Sequence, residues 1–247
     1  MESHLARKLR YGSPLGAQDI ARLDALSAAA RPVPAGTDLI REGDNPGCVH
    51  LVTAGVAGRT KYLPDGRRAI IGLLLPGDFC DLHVAIIGRM DHAITTLADS
   101  EVARIPQSEL DALLETSPRI ARACWWATLV DEAVLREWLV NVGRRASERQ
   151  LAHLFCELYT RQWAVGLARD NSLPMPFTQA TLADLLGITA VHVQRVMAGL
   201  RKKGLIALED RQLTIRDFEA LAALGEFDPA YLHLGHAAET AIDPHVA

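Results

Sequence analysis

The chain has 247 residues, 49% of them hydrophobic and 23% charged, with a formal net charge of −4. That length allows one or two domains at roughly 100–200 residues each, with a core of useful size. The composition is that of a soluble globular protein; the acidic balance excludes a whole-surface nucleic-acid binder but leaves room for one basic face.

The four cysteines, Cys48, Cys80, Cys124 and Cys156, are widely spaced and form no C-x-x-C pair. The N-terminus, Met1-Glu-Ser-His-Leu-Ala-Arg-Lys, lacks the apolar run of a secretory signal, and no stretch reaches the length of a membrane span. The expectation is a cytoplasmic protein with no membrane partner, its cysteines acting as small buried hydrophobes.

Residues 17–30 read as a short helix with Ile20, Leu23, Leu26 and Ala30 on one face, ended by Pro32 and Pro34. From Pro34 to about Ile105, short apolar runs alternate with turn signals such as Pro34-Ala-Gly36, Pro64-Asp-Gly66 and Pro76-Gly-Asp78. That alternation predicts a β sandwich or barrel, without a true internal repeat. Residues 107–115 read as a short helix capped by Ser108. Ser117 and Pro118 then open a long helix to about Val142, Ser as N-cap and Pro at the first helical position.

In that long helix Ile120, Ala123, Ala127, Val130 and Val134 form a coiled-coil-like seam. Trp125, Trp126, Leu129, Leu135, Trp138 and Leu139 make it apolar on more than one side, as for a helix lying between its own domain and a partner subunit. Gly143 interrupts the pattern beside the charged run Arg144–Arg149, which places a hinge there. This run reads as a solvated face or as a phosphate contact. A further helix spans about 146–163, with Leu151, Leu154, Phe155 and Leu158 inward, and a polar loop follows over 168–176. The residues from about Leu234 read as a loose tail, with His233, His236 and His245 solvated.

Residues 177–206 carry the functional signal. Thr178 caps a helix over 179–186 that Gly187 ends, and Thr189 caps a second helix over 190–203 that Gly204 ends. Two short helices joined by a Gly-containing turn make a helix-turn-helix. Val193, Val196, Met197 and Leu200 point to the core, and Ala190, Val191, Gln194 and Arg195 share the opposite face near the helix start. That end of a recognition helix enters the major groove of double-stranded DNA. Arg195 suits guanine O6 and N7, Gln194 suits adenine, and Val191 suits a thymine methyl. Thr178, Gln179, Thr189 and His192, at the two helix starts, together with Arg201, are the phosphate candidates. Between residues 178 and 216 the charge is +3, from Arg195, Arg201, Lys202, Lys203, Arg211 and Arg216 against Asp184, Glu209 and Asp210. Residues 205–208 and 212–216 flank the polar turn Glu209-Asp-Arg and read as a β-hairpin wing. The competing reading is an ordinary helical hairpin with a solvated basic end, which needs caps, turn, polar face and hairpin all to coincide by chance.

With these residues in view, about residues 15–230 resemble the Crp/Fnr family of transcription regulators. TQATLADLLGITAVHVQRVMAGLRKKGLI resembles its helix-turn-helix, the region ending Pro76-Gly-Asp-Phe79 its cyclic-nucleotide-binding β-roll, and 118–142 its dimerisation helix. The resemblance implies an α+β fold: an N-terminal β-roll (double-stranded β-helix, jelly-roll-like), a long dimerisation helix and a C-terminal winged helix-turn-helix. The expected divisions are a sensor domain over 1–116, dimerisation helix and hinge over 117–143, and a DNA-binding domain over 144–247. It also implies a homodimer on a palindromic operator that changes recruitment of RNA polymerase, with a possible small-molecule effector.

Three departures from that family stand out. Asp91-His92 occupies the place of the Arg-Ser or Arg-Thr phosphate pair of cyclic-nucleotide-binding relatives, with Arg89 offset by two, so cyclic AMP is not expected. The candidate effector pocket is Asp81, Arg89, Asp91 and His92. No cysteine precedes Cys48, so the iron–sulfur cluster of oxygen-sensing relatives is not expected. Val191 stands where many relatives carry Glu beside the reading Arg.

Cys48-x-His50 and Cys80-x-x-His83 read as two buried thiols and two hydrogen-bonded imidazoles, since the spacing matches no standard metal motif. The sequence requires no cofactor, although a metal-, haem- or redox-responsive sensor of the same fold stays open. So does a ligand-binding module that contacts protein rather than DNA. No Ser/His/Asp set, Gly-x-Ser-x-Gly, P-loop or supported pair of acids points to an enzyme.

Overall fold

The computed structural model describes residues 2–82 and 84–235; His83, His236 and His245 lie outside the described residues. The chain divides into two compact units, residues 1–131 and 132–247.

The N-terminal unit begins with helices α1 (His4–Leu9) and α2 (Ala17–Ala28). Seven strands follow: β1 (Arg31–Val33), β2 (Asp38–Ile40), β3 (Cys48–Ala54), β4 (Ala57–Tyr62), β5 (Arg68–Leu74), β6 (Ala93–Thr96) and β7 (Ser100–Pro106). A short helix α3 (Val84–Ile87) sits between β5 and β6, and α4 (Gln107–Thr116) follows β7. The strands form two antiparallel sheets, ordered β1-β7-β3 and β2-β6-β4-β5.

Strand alternation sends Cys48, His50 and Val52 to one face of β3 and Val49 and Leu51 to the other. Val52 joins Ile40, Ala57, Leu74, Cys80, Met90 and Ile94 in one apolar cluster, drawn from both sheets. Val49 and Leu51 join Ala103 and Ile105 of β7 in a second cluster. Leu5 and Leu9 of α1, Leu23 and Leu26 of α2 and Leu110 of α4 complete that cluster from the helical side. Neither α1 nor its packing was legible as a pattern; Lys8, 2.5 Å from Asp78, ties it to the Pro76–Asp78 turn.

The exposed edge of β3 is covered by that same turn. Gly77 N donates to Val52 O, Val52 N to Asp78 O and Cys80 N to His50 O. Pairing an open strand edge this way satisfies its amides and delivers Asp81 beside His50.

Helix α5 (Pro118–Arg144) begins as expected, with Ser117 Oγ accepting from Ile120 N at 3.3 Å. Two expectations about it need correction. The helix runs straight through Gly143, because a single glycine costs only about 1 kcal/mol in a helix. The start of the stripe read as a coiled-coil-like seam packs within its own chain: Ile120, Ala123 and Ala127 belong to the α1–α2–β3–β7 cluster. The face left in solvent carries Trp125, 71% exposed, and Leu129, 52% exposed. The expected cap of α4 also fails, since that helix starts at Gln107 behind Pro106 and has no side-chain cap.

The C-terminal unit contains α6 (Ser147–Ala164), β8 (Ser172–Pro174), α7 (Gln179–Leu186), α8 (Ala190–Lys202), β9 (Ile206–Glu209), β10 (Gln212–Ile215), α9 (Phe218–Gly225) and a 3-10 turn at Pro229–Leu232. Helix α6 is the centre, in contact with α7, α8, α9 and β8, with Leu151, Leu154, Phe155 and Leu158 fully or almost fully buried. It also carries a buried polar hub. Glu157, wholly inaccessible, accepts from Trp138 Nε1 at 3.0 and 3.2 Å, from Tyr231 OH at 2.8 Å and from Arg161 at 3.1 Å. His153 Nδ1 donates to Gly225 O at 3.2 Å and its Nε2 lies 3.2 Å from Tyr231 OH.

Removing the Glu157 carboxylate leaves several buried donors without an acceptor. Glu157→Ala should destabilise the C-terminal unit by about 3 kcal/mol, and Trp138→Phe, which deletes one donor, by about 1 kcal/mol. Urea unfolding of each variant against the parent checks the order and size.

Candidate nucleic-acid interface

The two helices of the motif are set by their ends. Thr178 Oγ1 accepts from Thr181 N at 3.0 Å and Thr189 Oγ1 from His192 N at 3.2 Å, so each helix start has a side-chain cap. Gly187 adopts φ 66°, ψ 30°, a left-handed conformation that L side chains resist. Its amide and that of Ile188 both return to Ala183 O, which closes α7 and turns the chain into α8.

Helix α8 then shows two faces. Val193, Val196, Met197 and Leu200 are buried. Val191, 68% exposed, Gln194 and Arg195 lie in solvent on the opposite side. The amphipathic split follows the sequence reading at Val191, Gln194 and Arg195, while Ala190, expected on the same face, is half-buried. Thr178, Gln179 and Thr189 are exposed at the two helix starts, and His192 is half-buried one turn into α8.

The wing is larger than the hairpin the sequence showed. Strands β9 and β10 pair antiparallel through a two-residue turn in which Asp210 (φ 48°) and Arg211 (φ 61°) are both left-handed, the geometry that suits the twist of a hairpin. The stretch read as a polar loop contributes β8, which pairs with β10 and makes a sheet of order β8-β10-β9. Asp170 and Asn171, at φ 49° and 56°, form the turn that leads into β8. Asp and Asn tolerate that conformation, so the pair was a missed turn signal.

The basic residues divide by what they touch. Arg201 and Arg216 line one cavity of about 350 Å³ with Gly204, Ile206, Leu208 and Glu209. Arg216, counted in the basic excess but not among the phosphate candidates, comes beside Arg201 through the return of β10 to the end of α8. Lys203 is paired to Glu148 at 2.7 Å. Arg145 is paired to Glu137 at 2.8 Å and Glu226 at 3.5 Å, and Arg149 to Glu226, so this part of the charged run braces the unit internally.

Comparison with known proteins matches this architecture at both ends. The Crp-like helix-turn-helix domain matches residues 149–224 and the cyclic nucleotide-binding domain matches residues 30–117. A probable transcriptional activator of Rhizobium leguminosarum bv. viciae is 31% identical over 220 residues, covering 86% of this chain and 88% of that protein. The transcriptional activator protein FnrL of Cereibacter sphaeroides is 31% identical over 197 residues, covering 77% and 78%. The chain belongs to the Crp/Fnr family of transcription regulators. The structure of FixK2 from Bradyrhizobium japonicum shares its fold at a TM-score of 0.69, with 24% identity over 79% of this chain and 96% of that one.

The four residues expected to form an effector pocket differ in exposure. Asp81 is fully buried and bonded to His50. Arg89 is exposed, and Asp91, its side chain 79% exposed, bonds His92 Nδ1 at 2.6 Å. None of them lines the cavity of about 420 Å³ formed by Arg31, Val33, Thr37, Asp38, His50 and Arg104. The turn that carries Asp81 docks on β3 and brings its carboxylate to His50. Elsewhere in this unit Arg59 of β4 pairs with Asp131 of α5 at 2.9 Å; burial works against its charge and the Asp131 carboxylate more than restores it. Among the described residues no group of three or more His, Cys, Asp or Glu is arranged to hold a metal ion, and no helix is long and apolar enough to cross a membrane.

The Gly187 turn gives a direct check. Nothing but Val142 Cγ1 at 4.0 Å would meet an added Cβ, so the cost of a side chain there is backbone strain alone. Gly187→Ala should lose about 1–2 kcal/mol of stability and Gly187→Asn distinctly less, because Asn tolerates the left-handed region; urea titrations of the two variants measure the difference.

Proposed function

We propose that this regulator acts as a homodimer that reads a palindromic operator in double-stranded DNA through the N-terminal face of α8. One observation carries the reading: Val191, Gln194 and Arg195 project from the first turns of α8, just after its Thr189 cap, while the other face of the helix is buried. In this reading Arg195 bonds guanine O6 and N7, Gln194 bonds adenine and Val191 meets a thymine methyl. Thr178, Gln179, Thr189, His192 and Arg201 hold phosphates and set the register. Two helix N-termini with free amides attract anions, and Arg216 beside Arg201 extends the cationic surface.

The domain roles follow: residues 1–116 as sensor, 117–143 as dimerisation helix and hinge, and 144–247 as the DNA-binding domain. The dimer seam is the uncovered side of α5, where Trp125 and Leu129 lie one turn apart, as do Leu135 and Leu139. The protein works by binding and by altering recruitment of RNA polymerase in the cytoplasm, not by turnover. The candidate effector residues stay Asp81, Arg89, Asp91 and His92, of which Asp81 is buried against His50.

Selection from a randomised duplex library tests the reading. The parent should enrich a two-fold-symmetric motif, and Arg195→Ala should bind it about tenfold to a hundredfold more weakly and relax one position in each half-site. Arg201→Ala should weaken all sequences alike and reduce the salt slope by about one. Equal enrichment by the parent and Arg195→Ala would overturn the base-reading assignment. Leu129→Lys should convert the dimer to monomer in sedimentation, because it places a charge in the apolar seam.

A further inference from the structure

All four thiols are buried, and Cys80, unlike Cys124 and Cys156, also lies among the charges of Asp78, Asp81, Arg59 and Asp131. Burial pushes the Cys124 thiol up to about 12 and raises Cys80 and Cys156 as well. Cys48 differs in its exposure and in its neighbours. It is 8% exposed, against 0% for Cys80 and Cys156 and 3% for Cys124, and it is surrounded by polar groups.

Those groups form a relay. Cys48 Sγ lies 3.9 Å from His50 Nε2, two residues along the same strand face. His50 Nδ1 lies 2.9 Å from Asp81 Oδ2, and Asp81 Oδ1 accepts the His50 backbone N–H at 2.7 Å. An ionised carboxylate only accepts hydrogen bonds, so Asp81 holds the imidazole proton on Nδ1. The Nε2 lone pair is then aimed at the thiol. Arg104, across the ladder from His50, places Nη2 3.5 Å from the same sulfur. His50 and Arg104 line the cavity of about 420 Å³, and its other guanidinium, Arg31, is exposed, so the cavity opens to solvent.

We propose that Cys48 is a reactive thiol that small hydroperoxides oxidise to the sulfenic acid. The arrangement is that of an activated nucleophile: base, orienting acid and adjacent cation around one sulfur. In the step, the Cys48 S–H proton passes to His50 Nε2 and the sulfur electron pair attacks the distal oxygen of the hydroperoxide. The O–O bond breaks as the S–O bond forms. The departing oxygen takes the proton from the imidazolium and leaves as water or an alcohol. Sulfur is oxidised by two electrons and the peroxide is reduced by the same two. Arg104 stabilises the negative charge that passes from sulfur to the leaving oxygen. The inference is independent of the DNA-reading assignment, since it uses only residues of the N-terminal unit.

The test uses the full-length reduced protein and hydrogen peroxide, with dimedone as trap and peptide mass spectrometry as readout. Cys48 should be labelled and should react faster in the native protein than in the same protein unfolded in urea. Cys124 should show the opposite ratio, protected when folded. His50→Gln and Asp81→Asn should each slow Cys48 labelling by at least about tenfold, and Arg104→Gln by severalfold, with partial recovery in Arg104→Lys. The native-to-unfolded ratio for Cys48 needs no variant, so the proposal stays decidable if His50→Gln fails to fold. A ratio at or below one, or an unchanged rate in folded His50→Gln, would overturn it.

Discussion

The direction in which α8 leaves α7 rests on one residue held left-handed, Gly187. Every side chain of the reading face inherits its aim from that turn. The caps at Thr178 and Thr189 fix where each helix begins, and burial of Val193, Val196, Met197 and Leu200 fixes the roll of α8 about its axis. Turn, caps and roll together leave Val191, Gln194 and Arg195 a single presentation. A change of roll by one residue would bring Gln194 inward and unpaired, at a cost of the order of a lost buried hydrogen bond, about 1–3 kcal/mol. The site is thus rigid because its support is apolar and its termini are polar.

This part of the chain was legible because its determinants are local. Cap, apolar period, left-handed glycine and second cap fall within a dozen residues, and each has one physical meaning. The bounds of α7 and the buried set of α8 agree with the pattern. The wing was half legible. Its own turn was marked by polar residues, but β8 is a strand only because β10 gives it a partner, and three residues with two prolines nearby carry little pattern of their own. Helix α9 has clear local marks, with Asp217 capping Ala220 N at 2.9 Å and Phe218 and Leu221 buried.

The opposite case is α5. Its period showed two apolar faces, and no property of the helix alone says which face its own chain covers. Coverage depends on β7 close by and on α1, α2 and β3, these three more than sixty positions away. The Cys48–His50–Asp81 relay was illegible for the same reason. Cys48 and His50 share a strand face by period, but Asp81 arrives across 31 positions, carried by a turn whose docking on β3 no local signal announces. Net charge over 178–216 was likewise an overstatement of free basicity, since Lys203 is already paired with Glu148.

The hub around Glu157 also sets an acid limit for the C-terminal unit. His153 is held below its ordinary range, chiefly by burial and against the pull of Glu157 and Glu137, with Arg145 acting in the same sense as burial. The folded unit therefore keeps this imidazole neutral, whereas the unfolded chain protonates it near about 6.5. Its contribution is complete above that value and drains away as pH falls through the lowered folded value, because the unfolded state then binds the extra proton. Acidification thus weakens the interior that joins α6 to α9 and Tyr231, so the unit that carries α8 has proton uptake wired into its own stability.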